Sequence, residues 1–433
     1  MTTHRYCDGL RRRDFIRAGV FGATGLTLSN YLQLAAAGEV DPKAKTKSAI
    51  FVYLGGGPTH LDTFDLKPDA PAEIRGDFKP IKTKSPGVEF CELLPKLAQV
   101  TPSFALLRGV SHTLAAHEFG TKYMSTGNRP IPSLEYPGFG SVIAKELKGD
   151  PELPPYVAVP NTPERAGFLG IAMSAFNTTA VPRPNQPFNV RGLAPAGGQT
   201  PLDVDRRNKL LERLDTTFKS ADAKSDLIHG LDRFSDQAVD ILASKKARDA
   251  FDIAKESPSL AKSFGEDTFG FGQSCLLATR LIESGVRFVT INHGGWDTHA
   301  NNTDAMKRKL PALDAGLAGL FAALASKGLL ESTTVYVTGE FGRTPKINAR
   351  GGRDHYPRSM FCLLGGGGIK GGQVVGASDK TGAGPKDKPI TPEMVAATFY
   401  KAMGIDHHKE YNTNTGRPVM IVRDGEPIKE LLG

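Results

Sequence analysis

What this chain lacks narrows it first. Its 433 residues hold four cysteines, Cys7, Cys91, Cys275 and Cys362, widely spaced and without a CxxC pair. That excludes a disulfide framework and leaves the thiols as small buried hydrophobes. Net charge is only +8, and the first 37 residues hold five arginines against two aspartates, so removing them leaves about +5. With no basic stripe interleaved with aromatics, nucleic acid is not an expected partner. The N-terminal apolar run is broken by Asn30, Gln33 and several glycines, which makes a poor permanent membrane span. What is present, 39% hydrophobic and 23% charged residues, is ordinary for a soluble protein. The length suits one large α/β domain or two medium ones.

The stretch from Arg287 to Pro357 organises the rest. It reads RFVTINHGGWDTH, a helical-looking segment, TTVYVTGEFGRTP and GGRDHYP. Val286–Ile291 and Thr333–Val337 are β-branched and aromatic runs that predict buried strands. Between them Met306, Leu310, Leu313, Leu317, Leu320, Phe321 and Leu324 recur at helical spacing. A strand, a covering helix and a parallel strand release their following residues at one sheet edge. Asp297 and His299 follow the first strand, Glu340 follows the second, and Asp354 and His355 precede a third, Met360–Leu364. Three acids and two imidazoles can meet there, a mixed donor set that suits zinc, manganese or iron better than an all-oxygen calcium or magnesium cage.

Taken in order, Arg11–Arg17 reads RRRDFIR before a modest apolar run, the pattern of a twin-arginine export signal with small residues at Ala35–Ala37 for cleavage. It predicts a signal peptide over 1–37, a linker over 38–47, passage through the twin-arginine translocase and a periplasmic or extracellular location. Ser48–Leu54 predicts the first strand and opens into GGGPTHLDTFD, where His60 and Asp62 are further potential ligands. These glycines are a tight turn or a close approach to a ligand, but not a phosphate loop, because no Gly-Lys-Thr/Ser follows. Leu93–Val100 predicts a short helix and Ala105–Val110 a second strand, followed by His112 and His117. From His117 a helix runs to Thr126-Gly127, and a His at its amino end is a capping residue or a neutral ligand. Residues 130–198 read as long loops with one strand at Tyr156–Val159. Residues 202–257 read as a helical insertion, Leu364–Pro385 as a turn-rich strand pair, and Thr391–Met403 as a capped helix. His407 and His408 lie beyond that helix and are left outside the site.

Six motifs in order, LGGGPTHLDTFD, HEFGTKYMSTG, GGWDTH, TGEFGRTP and GGRDHYP after the twin-arginine leader, resemble a bacterial family of exported proteins, domain-of-unknown-function family 1501. The resemblance covers nearly the whole chain. It implies a distant branch of the alkaline phosphatase and sulfatase superfamily. The implied fold is a three-layer α/β sandwich with a mostly parallel sheet, in one domain over 48–433. It further implies that Asp297, Glu340 and His355 take metal-ligand positions, with His299 a fourth and Asp62 and His60 near the acidic pair after the first strand. The chain departs where sulfatases carry Cys-x-Pro-x-Arg: no such motif exists, and His117 holds the nucleophile position.

The expectation is therefore an exported, metal-dependent hydrolase of phosphate or sulfate esters, on a small molecule or a polysaccharide. The metal set is Asp297, His299, Glu340, His355, Asp354, Asp62 and His60, with zinc or manganese favoured and calcium allowed. His117, Arg343 and Lys122 are the expected catalytic residues. A metal-activated water, His117 as nucleophile or base, or His117 as a further ligand with Arg343 or Lys122 neutralising charge all remain open. The alternative is a non-catalytic binding or cell-surface protein that kept the fold and a metal.

Overall fold

The computed structural model describes residues 45–188, 190, 244–413 and 415–433. The leader, most of the linker and residues 202–243 of the expected insertion lie outside them. An eight-stranded sheet dominates. Its strands are β1 Ser48–Tyr53, β2 Phe104–Val110, β3 Tyr156–Val159, β4 Phe176–Asn177, β5 Phe288–Asn292, β6 Thr333–Thr338, β7 Met360–Gly366 and β8 Val374–Val375. They lie in the order β8-β2-β7-β6-β1-β5-β3-β4. Only β7 is antiparallel to its neighbours; every other pairing is parallel. The expected α/β class with a mostly parallel sheet is what forms.

β1 sits at the centre, buried over its whole length, so its sequence is continuously apolar rather than alternating. Its two faces still divide by register. Ile50, Val52 and Leu54 pack beneath helices Phe271–Ser284 and Asn302–Ser326, through Leu276, Leu313, Leu317 and Phe321. Ala49, Phe51 and Tyr53 face the other layer, where helix α1, His117–Thr126, lies with helices Phe139–Glu146 and Pro392–Ala402. Each fully buried Leu or Phe in these layers contributes about 1.5–3 kcal/mol of burial. The helix Asn302–Ser326 is long and apolar enough to cross a bilayer, but 72% of its apolar window is inside the fold.

Boundaries differ from the sequence reading for local reasons. β5 begins at Phe288, not Val286, because Gly285 (φ 113°) ends the preceding helix and the Val286 amide returns to the Leu281 carbonyl at 3.0 Å. Phe139–Glu146 is a helix inside the stretch expected to be loop. Flanking prolines and glycines masked it, and Gly140 is there because a Cβ would lie 2.3 Å from the Tyr156 ring. The glycine-dense stretch after β7 yields one two-residue edge strand, β8, rather than a strand pair. Of the expected insertion, the described part forms a helix at Lys245–Phe251 and a short turn at Ile253–Lys255.

Candidate metal centre

β1, β2, β5 and β6 run the same way and end at one edge, and β7, being antiparallel, begins there. Residues that follow β2, β5 and β6 therefore share a mouth with those that precede β7. The loop after β5 delivers Asp297 and His299, that after β6 delivers Glu340 and Arg343, and α1 delivers His117. His355 is fixed by a two-residue ribbon in which it lies opposite Arg343. The close approach of these loops needs Gly56 (φ 112°), where a Cβ would stand 2.5 Å from the Asp297 amide nitrogen. The Gly56 amide donates to both Glu340 carboxylate oxygens, at 2.9 and 3.2 Å.

Three imidazoles are oriented alike. The Nδ1 of His355 donates to the Ala115 carbonyl at 2.9 Å, which can only accept, so in the neutral ring Nε2 carries the lone pair. The Nδ1 of His299 meets the Asp354 carboxylate at 2.6 Å, and that of His117 meets Glu340 Oε1 at 2.5 Å. Each outer nitrogen is thus engaged by an acceptor, and each Nε2 is turned toward Asp297. The distances from its oxygens are 3.0 Å for His299, 3.2 Å for His355 and 3.3 Å for His117. His299 Nε2 and His355 Nε2 are 3.0 Å apart. Lone-pair atoms facing one another across about 3 Å repel unless a cation or a proton lies among them. His117, Asp297 and His355 each offer a ligand atom within 4.8 Å of the others, so this donor set fits a metal ion. Glu340 and Asp354 are the carboxylates that orient the His117 and His299 rings from behind.

The charge is arranged to keep Asp297 ionised. Burial raises its pKa, but the hydrogen bond and charge of Arg343 outweigh burial, and His355 and His299 add to them, leaving it at about 2. Arg343 is wholly buried; Nη2 donates to Asp297 Oδ1 at 2.5 Å and also to the Gly56 carbonyl, and Nε donates to the Gly57 carbonyl at 2.8 Å. Desolvation pushes His355 below the usual imidazole range. Asp354 is held below the usual carboxylate range by its bonds from His299 and Asn348.

The family model described as a protein of unknown function, DUF1501, matches residues 46–432. The chain belongs to DUF1501. No curated protein matches it. Among solved structures it is similar to a sulfatase from Pseudoalteromonas sp., with 12% identity, TM-score 0.35, and coverage of 86% of this chain and 71% of that one. It is likewise similar to the lipoteichoic acid synthase of Listeria monocytogenes, with 11% identity, TM-score 0.35, and coverage of 89% and 78%. An alkaline phosphatase from the Antarctic bacterium TAB5 gives 12% identity, TM-score 0.35, and coverage of 83% and 98%. Likeness this remote carries no argument about activity.

Not every residue expected at the site of this DUF1501 chain is there. Asp62 is buried and takes Arg353 Nε at 2.8 Å, Asn302 Nδ2 at 2.9 Å and Thr59 Oγ1 at 2.9 Å, so its lone pairs are spent on donors. His60 is also buried, its Nε2 donating to the Gly382 carbonyl at 2.8 Å, and burial lowers its pKa. Neither joins the cluster, because Arg353, Asn302 and Thr59 take up Asp62 and the Gly382 carbonyl takes up His60. Lys122, one helical turn on from Glu118, pairs with that residue at 2.6 Å on the outer side of α1 and is not aimed at Asp297. Glu340 is present but saturated: His117 and Gly56 occupy one oxygen, and Gly56 and Tyr53 the other.

Four partners of the expected residues were not legible. Tyr53 donates to Glu340 at 2.9 Å and meets Thr121 Oγ1 at 2.6 Å. Arg353 is buried against Asp62, and Asn348 bonds Asp354. His112, expected as a loop residue, bonds the Glu340 carbonyl at 2.8 Å, and burial pushes its pKa down to about 4. The available signal was position: all four lie within a few residues of a sheet-edge loop. Away from this edge, Asp406, His407 and His408 also bring ligand atoms within 4.8 Å of one another, beyond the last helix.

Proposed function

We propose that this protein is an exported, metal-dependent hydrolase of phosphate or sulfate esters, built as one α/β domain over residues 48–433 with a helical insertion near 202–257. One observation carries the reading: three imidazole Nε2 atoms with engaged Nδ1 partners converge on an ionised carboxylate at the strand-end edge of the sheet. Open α/β sheets bind their ligands at that edge. His117, His299, His355 and Asp297 would hold the ion, and the nitrogen and oxygen donors favour zinc or manganese. A bound divalent ion would supply Lewis-acid charge to the ester. The chain's own groups supply the remainder. Arg343 is a fixed positive charge beside the cluster, held by Asp297 and three carbonyls, and it stabilises negative charge on the transferred group. Asp354 and Glu340 hold the proton on Nδ1 of their imidazoles and so keep Nε2 basic. The RRRDFIR leader supports export by the twin-arginine route to the periplasm or beyond.

A second reading, a non-catalytic metal-binding or cell-surface protein, is favoured by the fate of the hydroxyls. Residue 117 is His, and the Thr121 hydroxyl is engaged by Tyr53 at 2.6 Å. Elemental analysis of the tag-free mature chain beside Asp297→Ala, followed by a screen of phosphate and sulfate esters, separates the two. Metal lost in the variant together with ester turnover supports the hydrolase. Stoichiometric metal without turnover of any ester supports the second reading. No metal uptake after loading ends both.

A further inference from the structure

A groove of about 660 Å³ follows the outer side of α1, lined first by Glu118, the residue after His117. Its volume lies within the range of small-molecule sites, roughly 300–1,000 Å³. Two of the four large apolar side chains exposed among the described residues, Phe119 at 48% and Ile131 at 38%, lie on it. Its charges are balanced: Lys122 pairs with Glu118 at 2.6 Å, and Arg165 stands 3.9 Å from Glu135. Beneath them Glu164, 5% exposed, also lines the groove. It accepts from the Tyr156 hydroxyl at 2.6 Å on Oε1, and its Oε2 has no partner among the described residues. Desolvation raises its pKa, which favours the protonated acid and makes it a hydrogen-bond donor.

We propose that this groove binds a neutral, hydroxyl-rich ring, the chemistry of an uncharged sugar unit. An anion would meet two carboxylates along with two cations and gain no net attraction. An alkyl chain would strip water from four charged groups and return no hydrogen bonds. A sugar hydroxyl both donates and accepts, so it can use each member of both ion pairs. The apolar face of the ring covers Phe119. Because the groove begins one residue from His117, it would take the alcohol side of an ester. That assignment rests on the hydrolase reading, whereas saccharide binding does not.

The test is saturation-transfer NMR and titration of the metal-loaded mature chain. The probes are neutral monosaccharides (glucose, galactose, mannose, fucose), the disaccharides cellobiose, maltose and lactose, glucuronic acid as the anionic probe and octanol as the apolar one. A neutral saccharide binds, Phe119→Ala weakens it roughly fivefold or more, and Asp297→Ala leaves it unchanged even where metal and turnover are lost. Phe119 is exposed, so its variant keeps the wild-type melting temperature. Failure of every neutral saccharide, indifference to Phe119→Ala, or preference for glucuronic acid or octanol would overturn the proposal without touching the metal centre.

Discussion

His60 and Asp62 beyond β1, and Asp297 and His299 beyond β5, carry nearly the same sequence signature: an imidazole and a carboxylate two residues apart in a glycine-rich loop after a buried strand. Their surroundings are opposite. Around Asp62 every facing atom is a donor, from Arg353, Asn302 and Thr59, and the group is closed off from solvent. Around Asp297 only Arg343 is an obligate donor among the described residues, and three imidazole Nε2 atoms face the carboxylate. Residue type and spacing therefore do not distinguish a site from a structural ion pair. What does is whether the atoms that face one another are complementary or alike.

The contrast is sharpest in variants. Asp297→Ala should abolish stoichiometric metal uptake, read by elemental analysis, while circular dichroism stays native; retention of metal would remove Asp297 from the donor set. Asp62→Ala should do the reverse. It strands the buried Arg353 guanidinium, costs about 3–5 kcal/mol in chemical denaturation, and alters metal affinity only as far as the fold is lost. A loss of metal from a fully folded Asp62→Ala protein would erase the distinction between the two groups. Glu340→Gln tests the carboxylate behind His117. Metal affinity should fall about 10- to 100-fold in competition with a chelator, with no stoichiometric loss.

The smallest effect concerns acid. Burial holds His112 and His293 at about 4 in the fold, below the ordinary imidazole value, so both are neutral where an unfolded chain would be protonated. Their contribution is present above about pH 6.5 and is lost as pH falls toward 4. Between pH 7 and 5 each should cost on the order of 1–2 kcal/mol of stability. His293→Gln should flatten that part of the profile, and an unchanged profile would show that His293 is not held neutral.

Much of the frame was readable. Helix α1 starts at His117 and stops at Gly127 (φ 69°) as its sequence predicts, and Thr391 caps the last helix through the Met394 amide at 3.4 Å. Such features depend on local chemistry, on a glycine's freedom or a hydroxyl's reach, and need no distant partner. The roles of Asp62, Glu340 and Lys122 were not readable, because a carboxylate or an ammonium is ligand, support or surface pair according to what a remote loop brings to it.

By itself, the sequence determined the central strands, the major helices and the edge at which the loops would gather, since periodicity and parallel connections dictate those. Tertiary structure alone decided that β7 runs against its neighbours and so delivers His355 to that edge. It also decided that Arg353, 291 residues from Asp62 in the chain, closes one acidic group while Asp297 stays open to three imidazoles. The physical reason is that hydrogen-bond complementarity is settled only when both partners have arrived.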